Sequence, residues 1–250
     1  MLKQRILTAL VLLPLMLGML FYAPAALWAA FAALIALTAL WEYGRMCRLS
    51  EKQSNRYLAA SAFFMLTAYL GDWQLPPLIW FLVLLGWLAG APLWLRRKWP
   101  LPQQGNAMLL GWGLLLPFWF ALLDLRPDTA AAPKLLALMA LVWLADVAAY
   151  FVGRACGKRK LAPAISPGKS WEGALGGAAA VLVYACWLRG NGWLFENLSW
   201  PATVLAALVL TVVSIEGDLL ESWFKRSAGI KDSSSLLPGH GGVYDRTDSL

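Results

Sequence analysis

The sequence has little charge, one histidine and only three cysteines. Of its 250 residues, 14% are charged and 60% are hydrophobic, which is more apolar than a soluble domain of this length. The cysteines, Cys47, Cys156 and Cys186, form no CxxC pair, and His240 has no second histidine with which to bind zinc. This scarcity excludes a zinc site built from cysteine and histidine and leaves the cysteines as packing residues.

Long apolar runs fill most of the chain. A helix needs roughly 20 residues to cross a bilayer, and a chain in hydrocarbon must satisfy its backbone hydrogen bonds internally. Eight segments are candidate spans: 6–22, 25–41, 57–70, 77–95, 107–123, 135–151, 171–188 and 200–215. We therefore predict an all-α, polytopic integral membrane protein with eight transmembrane helices, the first of which is retained rather than cleaved as a signal peptide.

The basic residues predict an orientation. If the N-terminus is cytoplasmic, all but three of the 21 lysines and arginines fall in cytoplasmic segments, the exceptions being Arg126, Lys134 and Arg189. The net charge of +7 is then a topology signal, and since no aromatic and basic RNA-binding motif is present, we expect no nucleic-acid partner. We expect the protein in the inner (cytoplasmic) membrane of a bacterium, with its active site on the cytoplasmic side.

Polar sequence that contains glycine is concentrated in residues 153–177 and from residue 216 onwards. No repeat or linker divides the chain, so we predict a single membrane domain, residues 1–250. Within it, residues 1–132 form a lipid-facing scaffold of N-terminal helices, and residues 133–250 form a catalytic half with cytoplasmic loops 153–171 and 221–250. Two polar loops on one side of the membrane suggest one site.

The first polar stretch contains SPGKS, residues 166–170. It is not a Walker loop, because Pro163 occupies the position of the first glycine and no strand is expected before it. Ser166, Lys169 and Ser170 would still offer hydroxyls, an ammonium group and helix N-terminal amides to a phosphate. The alternative is an ordinary helix cap, with Ser170 at the cap and Glu172 in the first turn.

The second stretch contains EGDLLESWFKR. If the eighth helix continues through it, Asp218, Glu221, Ser222 and Lys225 share one face. Glu221 and Lys225 alone would be an ordinary surface pair, but an acid such as Asp218 at the membrane end of a span is a functional-site candidate.

Asp146 is also a functional-site candidate, because it lies inside the sixth span. A structural hydrogen bond would be an alternative explanation for an acid at this position.

The last residues surround His240 with glycines, which allow the backbone to approach a ligand closely. Asp245 and Asp248 would supply, with Asp218, the hard oxygen ligands of a magnesium ion that carries phosphates. Four basic residues supply the countercharge: Lys225, Arg226, Lys231 and Arg246. Acids for a metal beside bases for phosphate are typical of phosphoryl or nucleotidyl transfer, and we interpret His240 as a phosphate contact rather than a general base.

These residues resemble the signature of the phosphatidate cytidylyltransferases, also called CDP-diacylglycerol synthases. The signature reads S-x-x-K-R-x4-K-D-x-(small)-x2-(apolar)-(small or Pro)-x-H-G-G-(apolar)-x-D-R-(apolar or Thr)-D, and every fixed position matches between Ser222 and Asp248. The segments KLAPAISPGKSWEG and VSIEGDLLES are also similar to cytoplasmic segments of the family. The detailed resemblance covers residues 141–250, and the first half shares only its multi-span character.

The resemblance implies an enzyme that joins CTP to phosphatidate at the membrane lipid surface, with Mg²⁺ and with room for a second metal ion. It implies catalytic roles for Asp218, Lys225 and Asp245. It also implies a metal-ligand set and a substrate-binding set. The metal ligands would be Asp218 and Asp245, supported by Asp248 and Glu221. The substrate-binding residues would be Ser166, Lys169, Ser170, Ser222, Arg226, Lys231, His240 and Arg246. A homodimer is compatible with the sequence.

The chain departs from the family pattern at two places. Val147 and Ala148 follow Asp146, where the family has a hydroxyl residue and a glycine, so a hydroxyl contact is lost there. Family members also continue past the signature with one more hydrophobic helix, so the expected full count is nine spans rather than eight. The competing functions are a CTP-dependent lipid kinase and an ion-coupled transporter, although the sequence lacks the related halves typical of a transporter.

Overall fold

A computed structural model describes residues 2–247, so the predicted metal ligand Asp248 lies outside the described residues. Helices account for most of this part of the chain. Their bounds are α1 Leu2–Tyr22, α2 Ala25–Met46, α3 Glu51–Leu70, α4 Pro77–Leu85, α5 Ala91–Arg97, α6 Gln104–Leu125, α7 Ala132–Cys156, α8 Trp171–Gly190, α9 Trp200–Ala228 and α10 Tyr244–Thr247. A π-helical turn, Gly86–Gly90, joins α4 to α5, and a short 3₁₀ turn, Thr129–Ala131, precedes α7.

The apolar segments are helical as predicted. In the described part of the chain six helical stretches are long and apolar enough to cross a membrane: α2, α4 with α5, α6, Thr129–Cys156, α8 and α9. The segment Ile6–Tyr22 is a shorter apolar helix. Helix α3 is not among the six, since its first two turns carry Glu51, Lys52, Gln53 and Arg56. The predicted count of eight spans thus stays a prediction.

A short β-hairpin departs from the all-α expectation. Strand β1 is Lys160–Ala162 and β2 is Ser166–Ser170, and they pair antiparallel with Lys160 opposite Ser170 and Ala162 opposite Ser166. The segment expected to be a cytoplasmic loop is therefore partly ordered as strands. Strands this short carry too few residues for an alternating pattern to predict them.

The described chain divides into two compact units. The first contains the residues up to Ala132 together with Phe224–Thr247, and the second is Pro133–Trp223. The boundary at Ala132 coincides with the predicted end of the scaffold helices, but the last segment of the chain belongs to the first unit. Helix α9 supplies residues to both units.

In the first unit, α2 packs through small residues. Ala32 and Ala36 are fully buried against Trp119 and Phe120 of α6. The buried Arg126 donates hydrogen bonds to the carbonyl oxygens of Leu20 (3.0 Å) and Ala23 (2.6 Å), which satisfies groups left unpaired at the end of α1. This capping role accounts for one of the three basic residues that the orientation rule left outside the cytoplasmic segments.

In the second unit, α7 and α8 approach closely through small residues. A Cβ atom on Gly173 would lie 2.7 Å from the carbonyl oxygen of Ala149, and one on Gly177 would lie 2.8 Å from that of Ala145. Only glycine fits at either position, as at other close helix crossings in membranes. Among the cysteines, Cys47 is buried and Cys186 half-buried, but Cys156 is exposed at the end of α7, so the packing role expected for it is wrong.

Candidate active site

A cavity of about 620 Å³ lies in the second unit and holds several of the predicted site residues. Its polar lining includes Asp146, Arg154, Lys160, Ser166, Lys169, Ser170, Thr211 and Asp218. Helices α7 and α9 and the β-hairpin supply these side chains, and α8 contributes glycine and alanine to the wall of the cavity. Thr211 was not predicted, because its hydroxyl donates to the carbonyl oxygen of Ala207 (2.8 Å) within α9 and nothing in the sequence distinguishes it from other helix threonines.

Lys169 and Asp218 form an ion pair in this cavity. Their side chains are 25% and 28% exposed, and Asp218 Oδ1 also accepts a weak hydrogen bond from Ser222 Oγ (3.4 Å). Strand β2 places Lys169, and α9 carries both Asp218 and Ser222, which confirms that this helix continues past its apolar part. Two residues predicted from separate stretches are thus brought together.

The residues after Lys169 form the predicted helix cap. Ser170 is buried and its hydroxyl accepts the amide hydrogen of Gly173 (3.2 Å). Glu172, in the first turn of α8, accepts the amide hydrogens of Lys158 (3.0 Å) and Arg159 (3.2 Å). The cap is confirmed, and it leaves Lys169 in the cavity, so capping and phosphate binding are compatible in one loop.

A second group of predicted residues lies in the first unit, around Asp245. Lys225 Nζ donates to Asp245 Oδ1 at 2.8 Å, and the two side chains are 15% and 4% exposed. Asp245 Oδ2 accepts three further hydrogen bonds, from Ser233 N (2.9 Å), Ser233 Oγ (3.0 Å) and Gly242 N (2.7 Å). Four protein donors therefore hold this carboxylate.

Glu42, near the end of α2, joins the same group and was missed by sequence reasoning. It is fully buried, and its carboxylate accepts hydrogen bonds from Ser233 Oγ (3.1 Å), Ser234 Oγ, Val243 N (3.1 Å) and Tyr244 N (2.6 Å). The sequence could have identified Glu42, because it follows the predicted span 25–41 directly, and an acid at the end of a span is a functional-site candidate just as Asp218 is.

Two glycines of the signature lie against these carboxylates. Gly241 has φ +84°, and a Cβ atom there would lie 2.4 Å from Asp245 Oδ2. A Cβ atom on Gly242 would lie 2.1 Å from Ser233 Oγ and 2.3 Å from Glu42 Oε1. A close approach of these glycines therefore exists, and it is made to the protein's own carboxylates; their approach to a ligand stays a prediction.

The other predicted residues differ in their exposure. Arg226, Lys231 and Arg246 are exposed, Glu221 is buried, and His240 is half-buried. The ring atom Nδ1 of His240 is buried and has no hydrogen-bond partner in the described part of the chain.

Metal binding by these acids stays a prediction. Within residues 2–247, no three acid, histidine or cysteine side chains form a group that could by itself hold a metal ion in either unit. The donor chemistry is nevertheless suitable in the second unit, where Asp146 and Asp218 line one cavity with serine hydroxyls. One or two carboxylates are enough for a magnesium ion that arrives with phosphates.

Comparison with known proteins identifies the family. Residues 3–250 match the cytidylyltransferase family. The chain belongs to this family. It is 44% identical to a phosphatidate cytidylyltransferase of Pseudomonas aeruginosa, over all of this chain and 93% of that protein. It is 35% identical to a phosphatidate cytidylyltransferase of Haemophilus influenzae, over all of this chain and 95% of that protein. A phosphatidate cytidylyltransferase of Brucella suis is 53% identical, over 45% of this chain and 41% of its own length.

Proposed function

We propose that this protein transfers the cytidylyl group of CTP to phosphatidate and so forms CDP-diacylglycerol and pyrophosphate. The observation that carries this proposal is the similarity to two proteins of that name, which extends over the whole chain. Family membership makes the protein a nucleotidyltransferase, and its apolar helices make it an integral membrane protein. The name of its two full-length relatives supports a role in phospholipid biosynthesis.

The cavity of the second unit is the proposed CTP phosphate site. Lys169 supplies an ammonium group that neutralises phosphate charge, and the hydroxyls of Ser166 and Ser170 supply hydrogen bonds. The ion pair with Asp218 holds Lys169 in the cavity before substrate binds. Because both side chains are partly exposed, the substrate reaches them without unfolding the site.

Magnesium would be held by Asp218, and Asp146 lines the same cavity. When bound, the ion supplies positive charge to the phosphates. Asp245 suits the metal less well in the described arrangement, because Lys225 occupies one of its oxygens and three donors occupy the other. Its proposed role as a ligand would require Lys225 to leave the Asp245 carboxylate.

The chain's own residues would act by alignment and charge rather than by strong base catalysis. The attacking phosphatidate oxygen is already ionised near neutral pH, so an in-line attack on the α-phosphorus of CTP needs no deprotonation. Lys225 and Arg226 would stabilise the departing pyrophosphate, and the partly free ring of His240 would contact a phosphate. Lys231 and Arg246 would attract the anionic lipid headgroup on the cytoplasmic side of a bacterial inner membrane.

A labelling experiment tests the proposal. Purified protein in detergent is incubated with phosphatidate, Mg²⁺ and CTP that carries a label either in the cytidine or in the γ-phosphate. We expect cytidine label to enter lipid with release of pyrophosphate, and we expect chelation of the metal by EDTA to stop the reaction.

The alternatives give other results. Transfer of γ-label to lipid would establish a CTP-dependent lipid kinase instead. If neither labelled form of CTP gives labelled lipid, and proteoliposomes instead take up a solute when an ion gradient is applied, the protein is a transporter. Full activity in EDTA would remove magnesium from the proposal.

A further inference from the structure

We propose that Glu42 is a positioning residue of this enzyme, which fastens the segment 233–244 to α2 and thereby sets the position of Asp245 and Lys225. The inference rests on the proposed function, because the segment carries the signature residues His240, Gly241 and Gly242. No role for Glu42 follows from that signature, since it lies 180 residues earlier than Ser222.

The first observation is the set of donors around the Glu42 carboxylate. The side chain is 0% exposed, and the four groups that donate to it within residues 2–247 are two serine hydroxyls and two backbone amides, with no lysine or arginine among them. A buried carboxylate is costly unless its oxygens are hydrogen-bonded. The bonds therefore cannot be lost singly without penalty, and they hold the segment firmly.

The second observation is where those donors lie along the chain. Ser233 and Ser234 begin the segment, and Val243 and Tyr244 end it. Between them the chain turns back on itself, with Leu237 N donating to the carbonyl oxygen of Gly241 at 2.9 Å. One carboxylate thus anchors both ends of a single turn.

The third observation is a shared hydroxyl. Ser233 Oγ lies 3.1 Å from Glu42 Oε2 and 3.0 Å from Asp245 Oδ2. A hydroxyl has only one proton, so it donates to one of these carboxylates at a time. Ser233 also gives its amide hydrogen to Asp245. Displacement of Ser233 from Glu42 would therefore displace Asp245, and Lys225 with it.

The fourth observation is steric. Gly242 approaches Glu42 so closely that a Cβ atom would meet Oε1. The need to accommodate Glu42 therefore explains the glycine at this position of the signature. A larger residue at position 242 would displace the Glu42 carboxylate.

The test substitutes Glu42→Gln in the full-length protein, because glutamine keeps the shape and one acceptor oxygen but presents an NH₂ group to the donors. We expect kcat to fall about 10- to 100-fold, as for a misplaced catalytic group, while KM for CTP changes less than about threefold. Hydrogen–deuterium exchange of the amides in 233–244 should rise about tenfold, with exchange in α6 unchanged. The matched control is Glu51→Gln, an exposed acid in the first turn of α3, which should alter neither readout.

The outcomes are separable. A Glu42→Gln protein whose kcat stays within about twofold of the original would overturn the proposal, and so would a loss of kcat without faster exchange in 233–244. If this variant does not fold, Ser234→Ala removes one donor with a smaller change, and we expect a kcat about three- to tenfold lower with faster exchange in the same segment. An unchanged Ser234→Ala would then overturn the proposal. If the original protein forms no CDP-lipid, the proposed function fails, while exchange still measures the attachment of the segment without substrate.

Discussion

The two units each contain a lysine–aspartate pair, and the pairs differ in what surrounds them. Lys169 and Asp218 are partly exposed in a cavity, and Asp218 has one weak additional donor, Ser222. Lys225 and Asp245 are mostly buried, and Asp245 has three additional donors. Identical charge chemistry is therefore placed in two settings.

The difference in burial indicates that the two ion pairs have different roles. An exposed ion pair contributes about 0–1 kcal/mol to stability, so it can open when a substrate arrives. Breaking a buried pair by removing one partner costs about 3–5 kcal/mol, so such a pair holds the structure around it. We infer that Asp218 is available for substrate and metal, and that Asp245 first serves to organise its own segment.

The largest effect on activity is expected from Asp218→Asn. This change removes the carboxylate charge from the cavity, and we expect kcat to fall about 100- to 1,000-fold, the range for loss of one strong electrostatic contact at a reacting group. The apparent melting temperature in detergent should stay closer to the original than for a buried pair, because the pair it breaks is partly exposed.

The control for Asp218→Asn is Asp72→Asn, an exposed aspartate at φ +51°, where asparagine is also tolerated. A near-normal rate for Asp218→Asn at saturating Mg²⁺ would remove Asp218 from the list of metal ligands.

A slightly smaller effect on activity, with a clear effect on stability, is expected from Asp245→Asn. The substitution leaves Lys225 without its carboxylate in a buried setting and weakens three hydrogen bonds. We expect kcat to fall about 100-fold and the melting temperature to fall by about 5–10 °C. Equal melting temperatures for the Asp218 and Asp245 variants would show that the two ion pairs do not differ in their contribution to stability.

A third effect is expected from Gly242→Ala, which tests the crowding around Glu42. The new methyl group would meet Ser233 Oγ and Glu42 Oε1, so one of them must move, and we expect kcat to fall about 10- to 30-fold. Gly113→Ala is the matched control, because a Cβ atom on this exposed α6 glycine meets nothing within 4 Å. It should keep its rate, with stability equal or slightly higher. If both alanine variants keep their rates, the close packing around Gly242 does not affect catalysis.

Much of the helical architecture could be predicted from the sequence, because apolar segments near 20 residues have few alternatives in a bilayer. The continuation of α9 through Asp218 and Ser222 followed from the spacing of polar residues on one helix face. The cap at Ser170 followed from local chemistry, since its donor Gly173 is three residues away. Helix periodicity and capping preferences were sufficient where the two interacting residues lie within one helical turn of each other.

The partners of distant residues could not be predicted. Glu42 and Ser233 are 191 residues apart in the sequence, and no periodic pattern relates them. The hairpin in 160–170 was missed because three- and five-residue strands give no periodicity. The role of Gly242 was interpreted as approach to a ligand because the nearby carboxylate of Glu42 comes from another part of the chain. For Glu42 and Gly242, the missing information was which residue from a distant part of the chain lies beside them.

The smallest effect is expected from Ser222→Ala. Its hydroxyl donates to Asp218 at 3.4 Å, a long bond to a partly exposed carboxylate, so we expect kcat to change by no more than about threefold. Ser233→Ala is the matching change in the other unit, where the hydroxyl lies between two buried carboxylates, and there we expect about a tenfold loss. The ratio of the two rates measures how much more the buried group depends on its donors. A larger loss for Ser222→Ala than for Ser233→Ala would mean that this hydroxyl contacts substrate directly, and the signature serine would then belong with Lys169 among the phosphate-binding residues.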